Sequence, residues 1–270
     1  LTWQDNRGAF GYRASLVGSS INNEVLRLSN GEEQFFAGGL GLGGQLGTIT
    51  RAGLPVGSFY GYEVIGVFQN EADLTNFAKE GPEKAGDLIF KDQNGDGVIT
   101  DKDRIVLGQS IPDYTFGFSV GANWLGFDLS VDFTGQAGNE IINSKKMARF
   151  NTPNFEQSFL DRWTGEGTSN LEPRVTNSGH NYQFSDRFVE DGSFISLRNL
   201  QLSYSLPQSI VQKIRMTNLR VFVAGTNLKM WTKYTGYTPE VVNESGFESG
   251  IDRAAYPISK IYTFGLSASF

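Results

Sequence analysis

The feature that most constrains this chain is an alternation of period two, sustained for about ten residues at a time. In YTFGFSVGANW, Tyr114, Phe116, Phe118, Val120, Ala122 and Trp124 fall on one face, and Thr115, Gly117, Ser119, Gly121 and Asn123 on the other. Leu125 and Gly126 make a short turn, and FDLSVDFTGQ repeats the division, with Phe127, Leu129, Val131 and Phe133 set against Asp128, Ser130, Asp132 and Thr134. Two such segments across a two-residue turn read as a hairpin. The same pattern recurs in FGYRASLVG (Phe10, Tyr12, Ala14, Leu16), in NLQLSYSL (Leu200, Leu202, Tyr204, Leu206) and in the final YTFGLSASF (Tyr262, Phe264, Leu266, Ala268, Phe270). Leu219 to Trp231 is a sixth strand, less cleanly divided, and Glu24 to Leu28 and Tyr62 to Phe68 are two further candidates.

A soluble β-sandwich also alternates. These runs, however, have the length of tilted membrane-crossing strands, about 9–11 residues, rather than the 5 or 6 or so usual in globular sheets. Aromatics stand toward the ends of the apolar faces, at Tyr114 and Trp124, Phe127 and Phe133, Tyr262 and Phe270, as interfacial girdles require. The opposite faces are Gly, Ser, Thr, Asn and Asp, which suit water. The expected fold is therefore all-β, an antiparallel transmembrane β-barrel or a part of its wall. As an isolated open sheet it would leave unpaired edges in lipid, and the small inward residues fill a closed eight-stranded barrel poorly. Glycine at 33 residues and the absence of cysteine agree with a turn-rich β protein of the bacterial envelope. A net charge of −6 without any basic run excludes the footprint of a nucleic-acid binder.

Loop lengths orient such a wall, because outer-membrane barrels have short periplasmic turns and long external loops. The Leu125–Gly126 turn and residues 207–218, where Ile210 and Ile214 suggest a turn or two of helix, are then periplasmic. Residues 20–113, 137–193 and 232–259 are external.

In order, GLPVGSFYGYEVIGVFQ, GDLIFKDQNGDGVITDKDR, IPDYTFGFSVGANWLGFDLSVDFTGQAG, DRFVEDGSFISLRNLQLSYSLP, LRVFVAGTNL, GYTPE and YPISKIYTFGLSASF resemble the C-terminal part of SusC/RagA-type TonB-dependent transporters. The resemblance spans nearly all of residues 1–270 and implies part of a large outer-membrane barrel of about twenty-two strands, of the kind whose lumen is plugged. It further implies import of oligosaccharides or oligopeptides, a SusD-like lipoprotein over the external mouth, and energy from the TonB complex. The plug domain and the TonB-contacting segment are not expected within this chain. A calcium-stapled surface adhesin and a small self-contained outer-membrane barrel are the alternatives; an enzyme is not expected.

One external stretch carries metal-ligand spacing. In DQNGDGVITDKD, Asp92, Asn94 and Asp96 occupy positions 1, 3 and 5 of a twelve-residue calcium loop, with Gly97 at 6, the Val98 carbonyl at 7, Thr100 at 9 and Asp103 at 12. A hard cation needs six to eight or so oxygens, and alternate residues can converge on it when glycine permits the sharp turn. Flanked by strands rather than helices, such an ion would be a structural Ca2+, a staple and not a switch. As ligand or partner contacts, Phe155, Phe159 and Trp163 at helical spacing, together with Tyr234 and Tyr237, are candidates, with packing onto the barrel itself the competing role. Tyr256 is similarly placed. GGLGLGGQLG reads as a glycine-rich loop, and His180, the only histidine, as a solvated loop residue. No catalytic residues are expected.

Overall fold

The computed structural model describes residues 1–41, 44–147, 157–176, 179–241 and 245–270. Along the chain run strands β1 (Thr2–Arg7), β2 (Phe10–Ser20), β3 (Gln34–Gly39), β4 (Leu46–Arg51), β5 (Ser58–Gly61), β6 (Val64–Val67), β7 (Leu88–Phe90), β8 (Ile105–Gly108), β9 (Tyr114–Trp124), β10 (Phe127–Ala137), β11 (Glu140–Asn143), β12 (Val189–Asp191), β13 (Phe194–Ser205), β14 (Asn218–Thr232), β15 (Ile251–Asp252) and β16 (Ile261–Ser269).

The long strands form one seven-stranded antiparallel sheet in the order β1-β2-β9-β10-β13-β14-β16. Its ends, β1 and β16, are not paired with each other, so the wall is an open segment and not a closed eight-stranded barrel. The β9–β10 hairpin pairs as the alternation demands, Val120 with Val131 and Phe118 with Phe133. Its two turn residues have positive φ, 48° at Leu125 and 89° at Gly126, the conformation that matches the twist of a two-residue hairpin. Residues Gln208–Val211 and Gln212–Ile214 form the expected short helical turns between β13 and β14.

The apolar face of this sheet has no second layer. Phe264 is 81% and Leu266 65% exposed, and Phe118, Leu129, Leu202 and Val223 are open as well. None of these residues belongs to a buried cluster. The opposite face is a polar lattice, in which Asn199 Nδ2 donates to Asp132 Oδ2 (3.2 Å), and Arg220 Nη2 to Asp128 Oδ1 (3.3 Å) and Ser203 Oγ (2.5 Å). Register shifts beside Arg198, and Asn227 with φ 55°, place a bulge in β13 and β14, which is why the alternation is blurred there. Arg198 uses the bulge to donate to Thr134 Oγ1 (3.0 Å) and to pair with Glu240.

Buried cores lie instead at the end from which the long connections project. Leu40 and Phe59 from the first connection, Ile142, Met147, Phe184 and Phe188 from the second and Ile251 from the third form one cluster. A second joins Tyr62, Val67, Leu88, Phe90 and Ile99, with Trp163 against it. These connections thus fold into a packed cap built of a four-stranded β3-β4-β5-β8 sheet, a β6-β7 pair and a β12-β11-β15 sheet. Two expectations are corrected accordingly. Glu24 to Leu28 is not a strand, although Val25 exchanges backbone bonds with Gly53 and Leu54, and Tyr62 to Phe68 contributes the short β6 to the cap rather than a strand to the wall. Of the glycine-rich segment 38–47, residues 42 and 43 lie outside the described residues, while Gly38 and Gly39 belong to β3 and Leu46 and Gly47 to β4, which pair antiparallel, with Leu40 N–H donating to Gln45 O (3.0 Å).

Candidate functional site: a cleft in the loop cap

The cap contains a cleft of about 1310 Å³. One wall comes from the β3-β4-β5-β8 sheet, which places Phe36 and Tyr60 side by side with ring centroids 5.9 Å apart. The opposite wall is the segment 179–184, held by Gln45, whose Nε2 donates to Tyr182 O (3.0 Å) and whose Oε1 accepts from Phe184 N–H (2.8 Å). Between them lies Arg104. Its guanidinium stands over the Tyr60 and Tyr62 rings at 5.3 and 5.8 Å, and Nη2 donates to Tyr60 O (3.1 Å). A cation fixed on aromatic faces stays put through packing as much as through charge. Tyr62 stacks on Phe90 at 4.7 Å, and burial, helped by the charges of Asp101 and Glu80, pushes its hydroxyl up to about 12.

His180 is not a solvated loop residue. Its side chain is 11% exposed, lies 4.4 Å from the Phe90 ring, and points Nδ1 at Glu80 Oε2 (3.2 Å) and Glu83 Oε1 (3.4 Å), while Nε2 meets Leu88 O (2.7 Å). Burial works against its protonation, yet the bonds to Glu80 and Leu88 and the two carboxylate charges outweigh it and raise its pKa. Sequence reasoning missed this group because the glutamates lie about a hundred residues away; Glu80 and Glu83 at a spacing of three was the only local hint.

The loop 92–103 is shaped by its own side chains. Asp92 accepts from Gly95 N–H at Oδ1 (2.7 Å) and from Gly97 N–H at Oδ2 (2.8 Å), and these bonds, Gly97 foremost, lower its pKa. Asn94 Oδ1 accepts from Asp96 N–H (2.8 Å), and Asp96 Oδ1 from Val98 N–H (3.0 Å). Gly95 and Gly97 take φ of 77° and 82°, which only glycine adopts freely. Asp103 is fully buried and closes the loop, accepting from Gln93 N–H at Oδ1 (3.0 Å) and from Thr100 N–H at Oδ2 (2.8 Å). Ile99 packs inward, as position 8 of such a loop should.

The aromatic candidates divide. Phe155 lies outside the described residues. Gln157–Asp161 is a 3-10 turn, so Phe159 and Trp163 do not share an α-helical stripe. Trp163 is half-buried, covers Gly86 and donates from Nε1 to Gln69 Oε1 (3.2 Å). Tyr234 is buried, its hydroxyl bonded to Asp252, which makes it a core residue rather than a contact surface. Tyr237 and Tyr256 are exposed, with the Lys145 ammonium 5.0 Å from the Tyr237 ring.

A long-stranded open sheet, apolar and bare on one face and polar on the other, with every core gathered in a loop cap at one end, defines a piece of an antiparallel barrel wall and not a globular sandwich. The chain matches no protein-family model. It is 31% identical over 261 residues to TonB-dependent receptor P3 of Formosa agariphila, an alignment covering 93% of this chain and 26% of that receptor. To the TonB-dependent receptor SusC of Bacteroides thetaiotaomicron it is 24% identical over 256 residues, covering 92% of this chain and 23% of SusC. A chain of the RagAB peptide importer in its open-open state superposes over 100% of this chain and 28% of that one, with a TM-score of 0.74 at 26% identity. This chain belongs with the TonB-dependent receptors of the SusC/RagA type, and it spans about a quarter of the length of the curated relatives it matches.

Proposed function

We propose that this chain forms part of the wall and the external cap of an outer-membrane importer that takes up oligosaccharides or oligopeptides with a SusD-like surface lipoprotein, driven by TonB through another part of the receptor. The observation that carries this is the bare apolar face of the wall opposite a hydrophilic one, which hydrocarbon on one side and an aqueous lumen on the other would satisfy. The names of the relatives support the receptor class, and the aromatic, Arg104-bearing cleft is suited to either sugar rings or peptide side chains. Transport rather than catalysis is the reading because Glu190 and Asp191, the adjacent acidic pair, serve the scaffold: Glu190 holds Lys146, Asn143 and Thr235, and Asp191 accepts from Ser193 N–H. Uptake of labelled glycans and of labelled peptides by cells with and without the full receptor tests it, together with co-purification of a lipoprotein. No receptor-dependent uptake of either class would overturn the import reading.

We also propose that the loop 92–103 binds Ca2+ as a staple of the cap. Its support is the placement of Asp92, Asn94, Asp96, the Val98 carbonyl and Thr100 around a glycine-permitted turn, with Asp103 anchoring the loop's far end.

A further inference from the structure

We propose that Glu80, Glu83 and His180 form a binding site for one divalent transition-metal ion, with His180 Nδ1 and one oxygen from each glutamate as ligands and the remaining position open to the cleft.

The three donor atoms lie within 4.8 Å of one another. The ordinary alternative is an imidazolium whose Nδ1–H is shared by the two carboxylates, and the spacing of the donors fits a bound ion as well. Charge-assisted N–H···O bonds run about 2.7–2.9 Å, whereas Nδ1 stands 3.2 and 3.4 Å from the two oxygens. Ligand atoms on a tetrahedral ion with bonds of about 2.0–2.1 Å are separated by about 3.4 Å.

The surroundings are those a metal site needs. A ligating histidine donates its other N–H to a fixed acceptor, which leaves the lone pair on the ligating nitrogen; here Nε2 meets the Leu88 carbonyl at 2.7 Å. Ligating carboxylates are themselves held by hydrogen bonds. Gln183 Nε2 donates to both oxygens of Glu80, at 2.7 and 2.8 Å, and Glu83 accepts from the Glu80 and Gly81 N–H groups at 2.7 and 2.8 Å. Charge gives the third argument. Among the described residues neither glutamate pairs with a lysine or arginine, and Glu83 is buried, so even a protonated His180 leaves a net negative charge that a divalent cation with neutral imidazole would cancel. Glu80 and His180 both line the cleft, which gives the ion a path in and a place for water or a ligand donor. One nitrogen with carboxylate oxygens suits zinc and its neighbours better than calcium. Such an ion would lock the first connection to the second at the cleft wall, independently of what the receptor imports.

The test is a Zn2+ titration of the full receptor, stripped with chelator and held in excess Ca2+ so that oxygen-only sites are occupied. The wild type is expected to bind one equivalent that is missing, or weakened at least about tenfold, in both His180→Asn and Glu83→Gln. Identical zinc binding in the wild type and both variants overturns the proposal. Should a variant fail to fold, anomalous diffraction at the zinc edge from wild-type crystals decides, with a peak between the three side chains expected and its absence fatal to the site.

Discussion

Arg174 and Asp87, far apart in the chain, meet in the cap as a two-point pair, Nε to Oδ1 at 2.8 Å and Nη2 to Oδ2 at 3.0 Å. Asn181 Nδ2 adds a bond to the same Asp87 oxygen (2.8 Å), and its own Oδ1 accepts from Leu88 N–H (2.9 Å). The Asp87 side chain is 4% exposed, so removal of the guanidinium strands a buried charge. Arg174→Ala should cost about 3 kcal/mol of local stability, the low end for a buried pair because Arg174 keeps some contact with solvent. Hydrogen exchange should quicken in segments 84–90 and 170–182 while the wall remains protected. Uniform exchange across the chain would show that cap and wall unfold together.

The bare face of the wall makes adjacent residues unequal. Leu202 stands 45% exposed in β13, three residues from its end, between Leu129 and Val223, and Gln201 points to the polar side opposite Ser130 and Ala224. Leu202→Arg should lower the stability of the receptor folded into vesicles by about 1–2 kcal/mol, between the cost of a lipid-facing cation at the interface and at the midplane. Gln201→Arg should be close to neutral in the same denaturant titration. Equal effects would contradict an assignment of lipid to one face and water to the other.

How much of this was legible in the chain follows from the range of each interaction. Alternation is local, and it marked β2, β9, β10 and β16 nearly to the residue but only the second half of β13, whose first residues, Phe194 to Arg198, lie before the alternating run. It failed for β1, where Trp3, Asp5 and Arg7 share a face and carry no common polarity, and it blurred at the Arg198 bulge, where an extra residue breaks the period. Nothing local announced that the external connections pack into a cap, because their cores are assembled from apolar residues of three separate connections, none amphipathic enough alone to announce a layer. For the same reason the Glu80, Glu83 and His180 group could not be seen, while the calcium-type spacing, contained within twelve residues, could.

Acid should act on the cap through Glu190. Burial pushes its carboxyl up, but Lys146 at 2.7 Å and bonds from Thr235 and Asn143 more than compensate, and its pKa is lowered. A depressed folded pKa contributes stability that is present above the unfolded value, about 4.3, and lost as pH falls through the folded one. Glu190→Gln should therefore flatten the acid limb of the cap's stability–pH curve below about pH 4.3 and lower the plateau at neutral pH. An acid limb of unchanged slope would assign that sensitivity to other carboxylates.

The loop 92–103 gives the sharpest test of the calcium staple, because its ligands and its scaffold can be separated. Asp96 is exposed and Asp92 only partly covered, and both bond only within the loop, whereas Asp103 is buried and ties the loop's two ends together. Loss of either of these loop-tip carboxylates removes oxygens from the cation without opening a core; loss of Asp103 frees backbone donors at Gln93 and Thr100 and destabilises the fold whether or not an ion is bound. Asp92→Ala and Asp96→Ala should each abolish calcium heats in calorimetry and leave barrel assembly intact by gel mobility. Asp103→Ala should loosen the loop to protease even with calcium chelated. With the position-12 carboxylate, Asp103, committed to the Gln93 and Thr100 N–H groups, binding should be weak, with a dissociation constant on the order of 10⁻⁴–10⁻³ M, so titrations must reach millimolar calcium. Heats that persist unchanged in both the Asp92 and the Asp96 variants would place the ion elsewhere and leave this loop a turn held by its own side chains.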